Sequence, residues 1–203
     1  MSFYLIEDLE QGSSEWHAWR RRVIGASDAH IIMGENRISS RARLMREKLG
    51  LEHEFSGNAA TREGRDLEEP ARELLSREYN LKLIPTIVQD AQEPYLAASL
   101  DAICTNYKEI FEIKAGAKTY EHIRTKKSVP RYYIAQLQHI LMVTQRESIT
   151  FACYRPNESL ITLDVYRDDK YIEKLRKREN EFVKELVDSG HDIQYQFVGR
   201  LVN

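Results

Sequence analysis

The stretch Phe111-Glu112-Ile113-Lys114 alternates apolar and charged residues, and this period of two is typical of a β-strand. On a strand, the two charged side chains lie on one face and the two apolar side chains on the other. Asp101 lies eleven residues before Glu112, in a second alternating stretch, and the polar segment between them favours a hairpin turn. Pairing of the two strands would place both carboxylates close together, with Lys114 one pleat away.

Two carboxylates beside an ammonium group form a site for a hard divalent cation and a phosphate group. The hairpin therefore predicts the chemistry of a metal-dependent nuclease. The same pattern also occurs on ordinary solvated strand faces, so other parts of the chain have to distinguish between the two interpretations.

The composition limits the classes of protein to which the chain can belong. Its 203 residues are 42% hydrophobic and 31% charged, which fits one globular domain with a buried core. The formal net charge of −2 means that any surface for nucleic acid has to be local. Cys104 and Cys153 predict buried thiols in a reducing cytoplasm rather than a disulfide framework or a metal cluster. We expect a cytoplasmic protein without a membrane span or a signal peptide.

Helical spacing dominates the first part of the chain. Ser27 or Asp28 is expected to cap the second of four helices, and Pro70 is expected to kink the last one because it removes a backbone donor. The four predicted helices cover residues 14–24, 28–34, 39–49 and 58–79.

After residue 80 the pattern changes to that of strands, interrupted by a polar connection over 117–131 and a helix over 131–143. The predicted strands cover residues 81–89, 95–103, 109–115, 148–154 and 160–166. A charged helix is expected over 168–187, and residues 190–203 are ambiguous.

This order predicts an α/β fold with a mixed central sheet of about five strands flanked by helices. We expect a single domain over 1–203. It would comprise a helical part over 1–80, a sheet core over 81–167, and a C-terminal helix and tail over 168–203.

Glu68 on the long helix is the third candidate acid. It shares a helix face with Gly64 and Ala71. It is either a surface acid or a third carboxylate that points into the metal site, where Mg²⁺ requires several oxygen ligands.

Polar side chains on two other helices are candidates for binding phosphate. Arg20 and Ser27 flank a predicted helix start, where a guanidinium, a hydroxyl and exposed amides would bind a terminal phosphate. Gln136 and Gln138 would hydrogen-bond phosphate oxygens or orient a water. Both sets also fit ordinary solvated surfaces.

Residues 114–131 form the markedly basic segment of the chain, with six basic residues and one acidic residue, Glu121. This segment directly follows the strand that carries Glu112. It would either bind the nucleic-acid backbone beside the cleavage site or form a solvated loop.

Taken together, these residues resemble the YqaJ-type viral recombinase family, which includes lambda exonuclease and belongs to the PD-(D/E)xK nuclease superfamily. The resemblance covers about residues 12–167, and the residues after 168 match only loosely. Leu100 occupies the position of the proline in the PD-(D/E)xK motif. This departure is mild, because that proline shapes a turn and binds no ligand. The matching motifs, in the family's order, are Trp16-His17, Arg20, Val23 to Ser27, Gly64, Leu67-Glu68, Ala71, Ser99-Leu100-Asp101, Glu112-Ile113-Lys114, Tyr133 and Gln136-Leu137-Gln138.

The resemblance implies a restriction-endonuclease-like core and a metal site for Mg²⁺, with Mn²⁺ able to substitute. It implies that Asp101, Glu112 and the backbone carbonyl of Ile113 hold the metal ions. It also implies that Lys114 assists the attacking water and that Glu68 lies beside the metals. The residues implied to bind the 5′-phosphate or DNA are Arg20, Ser27, Ser99, Gln136 and Gln138.

The family further implies digestion of one strand of linear duplex DNA from its 5′-phosphorylated end. A 3′ single strand would remain for a phage-type single-strand-annealing recombinase. It also implies a homotrimeric ring around DNA, acting in the cytoplasm of a phage-infected or prophage-bearing bacterium.

Two alternatives remain open. One is a related endonuclease, of the restriction or CRISPR-adaptation type, although no segment is spare for base readout and two cysteines are too few for an iron–sulfur cluster. The other is a non-catalytic DNA-binding module of the same fold, against which the intact Asp101, Glu112 and Lys114 argue.

Overall fold

A computed structural model describes residues 2–36, 38–52 and 59–202. The strands are β1 Phe3–Ile6, β2 Ile24–Gly25, β3 Leu83–Asp90, β4 Leu96–Cys104, β5 Ile110–Ala115, β6 Ser148–Tyr154, β7 Ile161–Tyr166 and β8 Arg200–Val202. The helices are α1 Ser14–Arg21, α2 Ala26–Ile32, α3 Arg41–Lys48, α4 Ala59–Asp66, α5 Glu68–Tyr79, α6 Ala117–Lys126, α7 Ile134–Thr144 and α8 Asp169–Asp188, with a 3₁₀ turn over Arg131–Tyr133 before α7.

The strands of the described residues form one mixed sheet in the order β7-β6-β5-β4-β3-β1-β8, with β2 paired to β4. The β5–β6 and β2–β4 pairs are parallel and the other pairs are antiparallel. The predicted α/β class with a mixed, helix-flanked sheet is confirmed, but eight strands replace the expected five or so.

The additional strands come from the two ends of the chain. β1 lies between β3 and β8, and buried Phe3 and Leu5 anchor it to the core. The predicted helical part over 1–80 therefore also contributes β1 and β2, and the tail after residue 190 contributes β8.

Helices cover both faces of the sheet. On one face, Ala71 and Leu75 of α5 join a cluster with Phe111 and Ile113 of β5. On the other face, α7 packs through its buried apolar residues, Leu137 among them, into the larger cluster. In the described part of the chain, no helix is both long enough and apolar enough to cross a membrane.

Two features of the N-terminal helices differ from expectation. Gly25, rather than Ser27 or Asp28, is the N-cap of α2, and the Asp28 carboxylate accepts the Gly25 N–H at 2.9 Å. The predicted long helix is divided at Leu67, and its expected start at residue 58 lies outside the described residues. The division lies where Pro70 acts, since its ring clashes with the carbonyl of the residue four positions earlier, the last residue of α4.

The expected polar connection over 117–131 is wrong, because α6 covers its first part. Only Thr119, Tyr120 and Ile123 of this helix are buried. Such a narrow buried stripe gives too weak a helical period to be recognised among so many charges.

Candidate active site

The hairpin of β4 and β5 forms the centre of the candidate site. The two strands pair antiparallel, with Ala102 opposite Phe111, so Asp101 and Glu112 are next in register. The Asp101 carboxylate accepts the backbone N–H of Ile113 at 2.8 Å through Oδ2. The fold thus brings the two acids together at one end of the hairpin.

A β-bulge sets the direction of Asp101. In the β3–β4 pair, Leu100 lies opposite Thr86 and Ile103 lies opposite Ile84, so Asp101 and Ala102 share a single facing residue, Pro85. Bulges redirect side chains and are common beside active sites. The sequence signal was Pro85 itself, because a proline inside a strand marks an edge or a bulge.

Glu112 is buried, with 1% of its surface exposed, and its two oxygens differ. Oε1 accepts from Lys114 Nζ at 2.5 Å and from Gln136 Nε2 at 2.6 Å. Oε2 is buried and has no hydrogen-bond partner among the described residues. A buried carboxylate oxygen without a donor is costly unless a cation binds it.

Burial and, after it, the charge of a neighbouring carboxylate raise the pKa values of two acids. Burial, and then the charge of Asp101, raises the pKa of Glu112 to about 7. The same two causes, in the same order, raise the pKa of Glu68 to about 7. A divalent cation between these carboxylates would relieve the repulsion, because it favours their charged forms.

Lys114 is held as an ammonium ion. Burial alone would lower the pKa of Lys114, but the charges of Glu112 and Asp101 raise it above its ordinary value. Its Nζ also lies 5.4 Å from the ring centroid of Tyr133. A charged Lys114 can donate hydrogen bonds to a water or a phosphate oxygen, and it adds positive charge there.

The donor set suits Mg²⁺ better than a softer metal. The part of the chain that the structure describes holds no group of three or more His, Cys, Asp or Glu side chains arranged to bind a metal ion. The predicted ligands are instead two carboxylates, Asp101 and Glu112, and the Ile113 carbonyl. Mg²⁺ takes oxygen ligands and keeps several waters, so this set and the unpaired Glu112 Oε2 fit it.

Arg72 is a residue of this site that sequence analysis missed. Its Nε donates to the backbone carbonyl of Asp101 at 2.9 Å and so fastens α5 to the bulge. In the sequence, Arg72 lies one helical turn after Glu68, and this spacing could have indicated that the two side chains share a helix face.

A pocket of about 380 Å³ adjoins the acids. It gathers four of the five residues expected to bind the 5′-phosphate or DNA, from α1, α2, β4 and α7, together with two of the acids. These residues are Arg20, Ser27, Ser99, Gln136, Glu68 and Asp101.

The hydrogen bonds of this pocket favour an anion. Ser27 Oγ accepts from Arg20 Nη2 at 2.9 Å, and Ser99 Oγ accepts from the indole N–H of Trp16 at 3.1 Å. Because each hydroxyl oxygen already accepts a hydrogen bond, its own O–H is left to donate to an acceptor. The Arg20 guanidinium lies over the Trp16 ring, 4.6 Å from its centroid.

Gln138 does not belong to this pocket. It is only 3% exposed, its Nε2 donates to the Tyr166 carbonyl at 2.8 Å, and its Oε1 accepts from the Asp168 N–H at 2.9 Å. Two residues along a helix separate it from Gln136 by about half a turn. The structure therefore does not bring Gln138 together with the other predicted phosphate-binding residues, because its amide joins α7 to the start of α8.

The basic segment lies beside the site on α6 and the residues that follow it. Arg124 pairs with Glu121 at 2.9 Å. The side chains of Lys118, Lys126, Lys127 and Arg131 are exposed.

Comparison with known proteins agrees with this geometry. The family model of the YqaJ-like viral recombinase domain matches residues 15–147. The uncharacterized protein YqaJ of Bacillus subtilis (strain 168) is 27% identical over 195 residues, which are 92% of this chain and 60% of that protein. The chain thus spans 60% of the length of this curated relative.

Two solved structures share the fold. An alkaline exonuclease (LHK-Exo) from Laribacter hongkongensis matches with a TM-score of 0.72 and 25% identity, over 87% of this chain and 94% of that one. A phage-related exonuclease from Haemophilus somnus 129PT matches with a TM-score of 0.58 and 16% identity, over 83% of this chain and 96% of that one. All of the acids and pocket residues described above lie inside the region matched by the family model. The chain therefore belongs to the YqaJ-like viral recombinase domain family.

Proposed function

We propose that this protein is a Mg²⁺-dependent exonuclease that digests one strand of linear duplex DNA from its 5′ end. Membership of the family and the similarity to an alkaline exonuclease support nuclease activity. The position of the anion pocket supports digestion from the 5′ end. Asp101 lines this pocket and is also one of the two paired carboxylates.

The spacing along β4 connects the pocket to the chemistry. Ser99 and Asp101 are two residues apart, roughly 7 Å at the usual rise of a strand. This separation is short enough for a terminal phosphate to lie at Ser99 while the next phosphodiester lies at Asp101. Arg20 and Ser27 would clamp the terminal phosphate with charge-assisted hydrogen bonds.

Hydrolysis follows from the remaining groups. Asp101, Glu112 and the Ile113 carbonyl would hold Mg²⁺, which when bound lowers the pKa of a water and neutralises charge on the phosphate. Lys114 donates to the attacking water and adds positive charge where charge develops in the transition state. Glu68 lines the pocket beside Asp101 and would hold a proton near neutral pH because of its raised pKa of about 7.

The product would be a 3′ single strand, which a single-strand-annealing recombinase would then bind. The exposed basic residues of α6 and the following turn would bind the duplex backbone beside the site.

Digestion of defined substrates tests the proposal. The unmodified protein with Mg²⁺ should release nucleotides from the 5′-phosphorylated strand of a linear duplex, should act more slowly on a 5′-hydroxyl end, and should leave closed circular DNA intact. Arg20→Ala should remove most of the preference for the phosphate, whereas Arg178→Ala, an exposed arginine on α8, should not.

The other outcomes separate the alternatives. Cutting of closed circles would favour an endonuclease. Binding without any digestion would favour a non-catalytic module. Equal rates on both kinds of end would overturn the 5′-phosphate assignment.

A further inference from the structure

Lys48, the last residue of α3, is a buried lysine with an unusually complete set of partners. It is 4% exposed, and its ammonium group donates to three acceptors. These are the Arg20 carbonyl at 2.9 Å, the Val23 carbonyl at 2.7 Å and Asp28 Oδ2 at 2.7 Å. Because an ammonium group has three donors, this contact set leaves none for solvent.

The three acceptors all belong to the segment 20–28, which connects α1 to α2 and includes β2. The same segment carries Arg20 and Ser27, which line the anion pocket and are hydrogen-bonded to each other. Asp28 Oδ2 accepts the Gly25 N–H as well as Lys48. Lys48 thus ties the end of α1 and the first turn of α2 to α3.

Asp28 creates an electrostatic problem for an anion pocket. Its carboxylate is buried and directly follows Ser27 in the chain. Burial alone would raise its pKa, but Lys48 and then Arg20 hold the pKa below its ordinary value, so the group is charged. Lys48 neutralises this carboxylate from the side of α3, and Arg20 is the other cation that faces it.

We infer that Lys48 is a positioning residue for the 5′-phosphate pocket: it neutralises Asp28 and holds the 20–28 segment, so that Arg20 and Ser27 are presented to the terminal phosphate. The inference rests on the proposed function. With Lys48 removed, the Asp28 carboxylate would repel the phosphate and draw the Arg20 guanidinium away from Ser27.

The test compares binding of 5′-phosphorylated and 5′-hydroxyl duplex ends in EDTA, by fluorescence anisotropy, so that cleavage does not contribute. The unmodified protein should bind the phosphorylated end more tightly. Lys48→Met should reduce that preference about tenfold, the order expected for an unpaired charge within roughly 10 Å of the phosphate. Arg41→Met is the matched control, because it removes an ion pair between α3 and Glu185 of α8 without touching the pocket.

Two further variants separate this role from a merely structural one. Lys48→Met with Asp28→Asn removes both charges, avoids a buried unpaired carboxylate and should recover most of the preference. Asp28→Asn alone should keep or increase it. Thermal melts of each variant establish that it is folded under the assay conditions.

Retention of the full preference in Lys48→Met would overturn the role of Lys48, as would a double variant no better than the single one. Equal affinity of the unmodified protein for both ends would instead overturn the proposed end recognition, and this inference with it.

Discussion

The buried position of the Glu112 carboxylate lowers the stability of the folded, metal-free protein. An unpaired buried acceptor costs about 1–3 kcal/mol, and Glu112 Oε2 has no donor in the part of the chain that is described. Asp101, across the hairpin, adds repulsion. A fold keeps such an arrangement where the group serves a ligand, which is why this carboxylate, rather than an exposed acid, is our choice for the metal.

Replacement of Glu112 should lower the nuclease activity and raise the stability of the metal-free protein. Glu112→Gln should abolish Mg²⁺-dependent hydrolysis, because it removes a ligand charge. The folded-state pKa of about 7 lies above the ordinary 4.5, so the unmodified, metal-free protein loses stability as pH rises through that window. The variant should therefore be more stable at pH 8, by on the order of 1–3 kcal/mol, and nearly equal below pH 4.

Urea unfolding in EDTA at both pH values measures this difference. Glu173→Gln, an exposed acid on α8, serves as the control and should change neither quantity. A Glu112→Gln variant less stable than the unmodified protein at pH 8 would contradict the assignment of repulsion at this site.

Among the helices, α7 and α8 are joined by a buried ion pair. His139 Nδ1 lies 2.7 Å from Glu179 Oε1, and Nε2 lies 2.9 Å from the Ala97 carbonyl of β4. Both partners are acceptors, so the ring donates from both nitrogens and is an imidazolium ion. Burial favours the neutral ring, but the Glu179 carboxylate outweighs it and raises the pKa of His139.

The pH dependence of this link follows from the direction of the shift. A raised folded-state pKa means that the stabilisation is complete below pH 6.5 and is lost as pH rises through the higher folded-state value. His139→Gln should therefore cost stability at pH 6, by about 3–5 kcal/mol as for other broken buried pairs, and less at high pH. Thermal melts of the unmodified protein and His139→Gln at several pH values measure this loss of stability. A stability difference that does not change with pH would exclude a charged His139 ring.

Strand β8 depends on one glycine. Gly199 has φ +91°, and a Cβ there would lie 1.8 Å from the Leu5 carbonyl oxygen. Gly199→Ala should therefore displace β8 from β1 and lower stability by about 1–3 kcal/mol. Gly190→Ala is the control, since Gly190 has φ +80° but open space around its Cα.

Hydrogen exchange gives the more specific measurement for this prediction. Protection of the backbone amides of β1 and β8 should fall in Gly199→Ala and should be unchanged in Gly190→Ala. Equal losses in both variants would mean that backbone strain alone, and not the close approach to β1, decides the effect.

The elements that could be predicted are those with a long, regular period. β3 to β7, α7 and α8 repeat their apolar positions over enough residues to be recognised, and the Asp101–Glu112 hairpin follows from two of them. β1, β2 and β8 are two to four residues long, so tertiary pairing rather than local pattern creates them. The bulge at Asp101 and the partners of Lys48 depend on contacts between distant segments, which a periodic pattern does not encode.

For the whole molecule, we predict a homotrimeric ring around DNA. The net charge is only −2 and the markedly basic residues are concentrated in the α6 segment, so three copies would bring these segments around one channel. The closed ring would then keep the enzyme on the DNA while its weak, salt-dependent contacts with the phosphates break and re-form along the duplex. Light scattering should give three times the chain mass of 23.8 kDa; one times that mass, at every concentration and salt, would exclude the ring.

The position of β1 between β3 and β8 also constrains how the protein is made. On the ribosome, β1 emerges before both of its partner strands: it gains β3 only after residue 90 has been synthesised, and β8 only when residues 200–202 emerge. While residues 91–199 are being synthesised, the nascent chain therefore exposes an unpaired sheet edge, the kind of edge on which misassembly with a neighbouring nascent chain begins. Slow synthesis of residues 91–202 should prolong that exposure, so yield in cells should depend on translation speed over the codons for these residues.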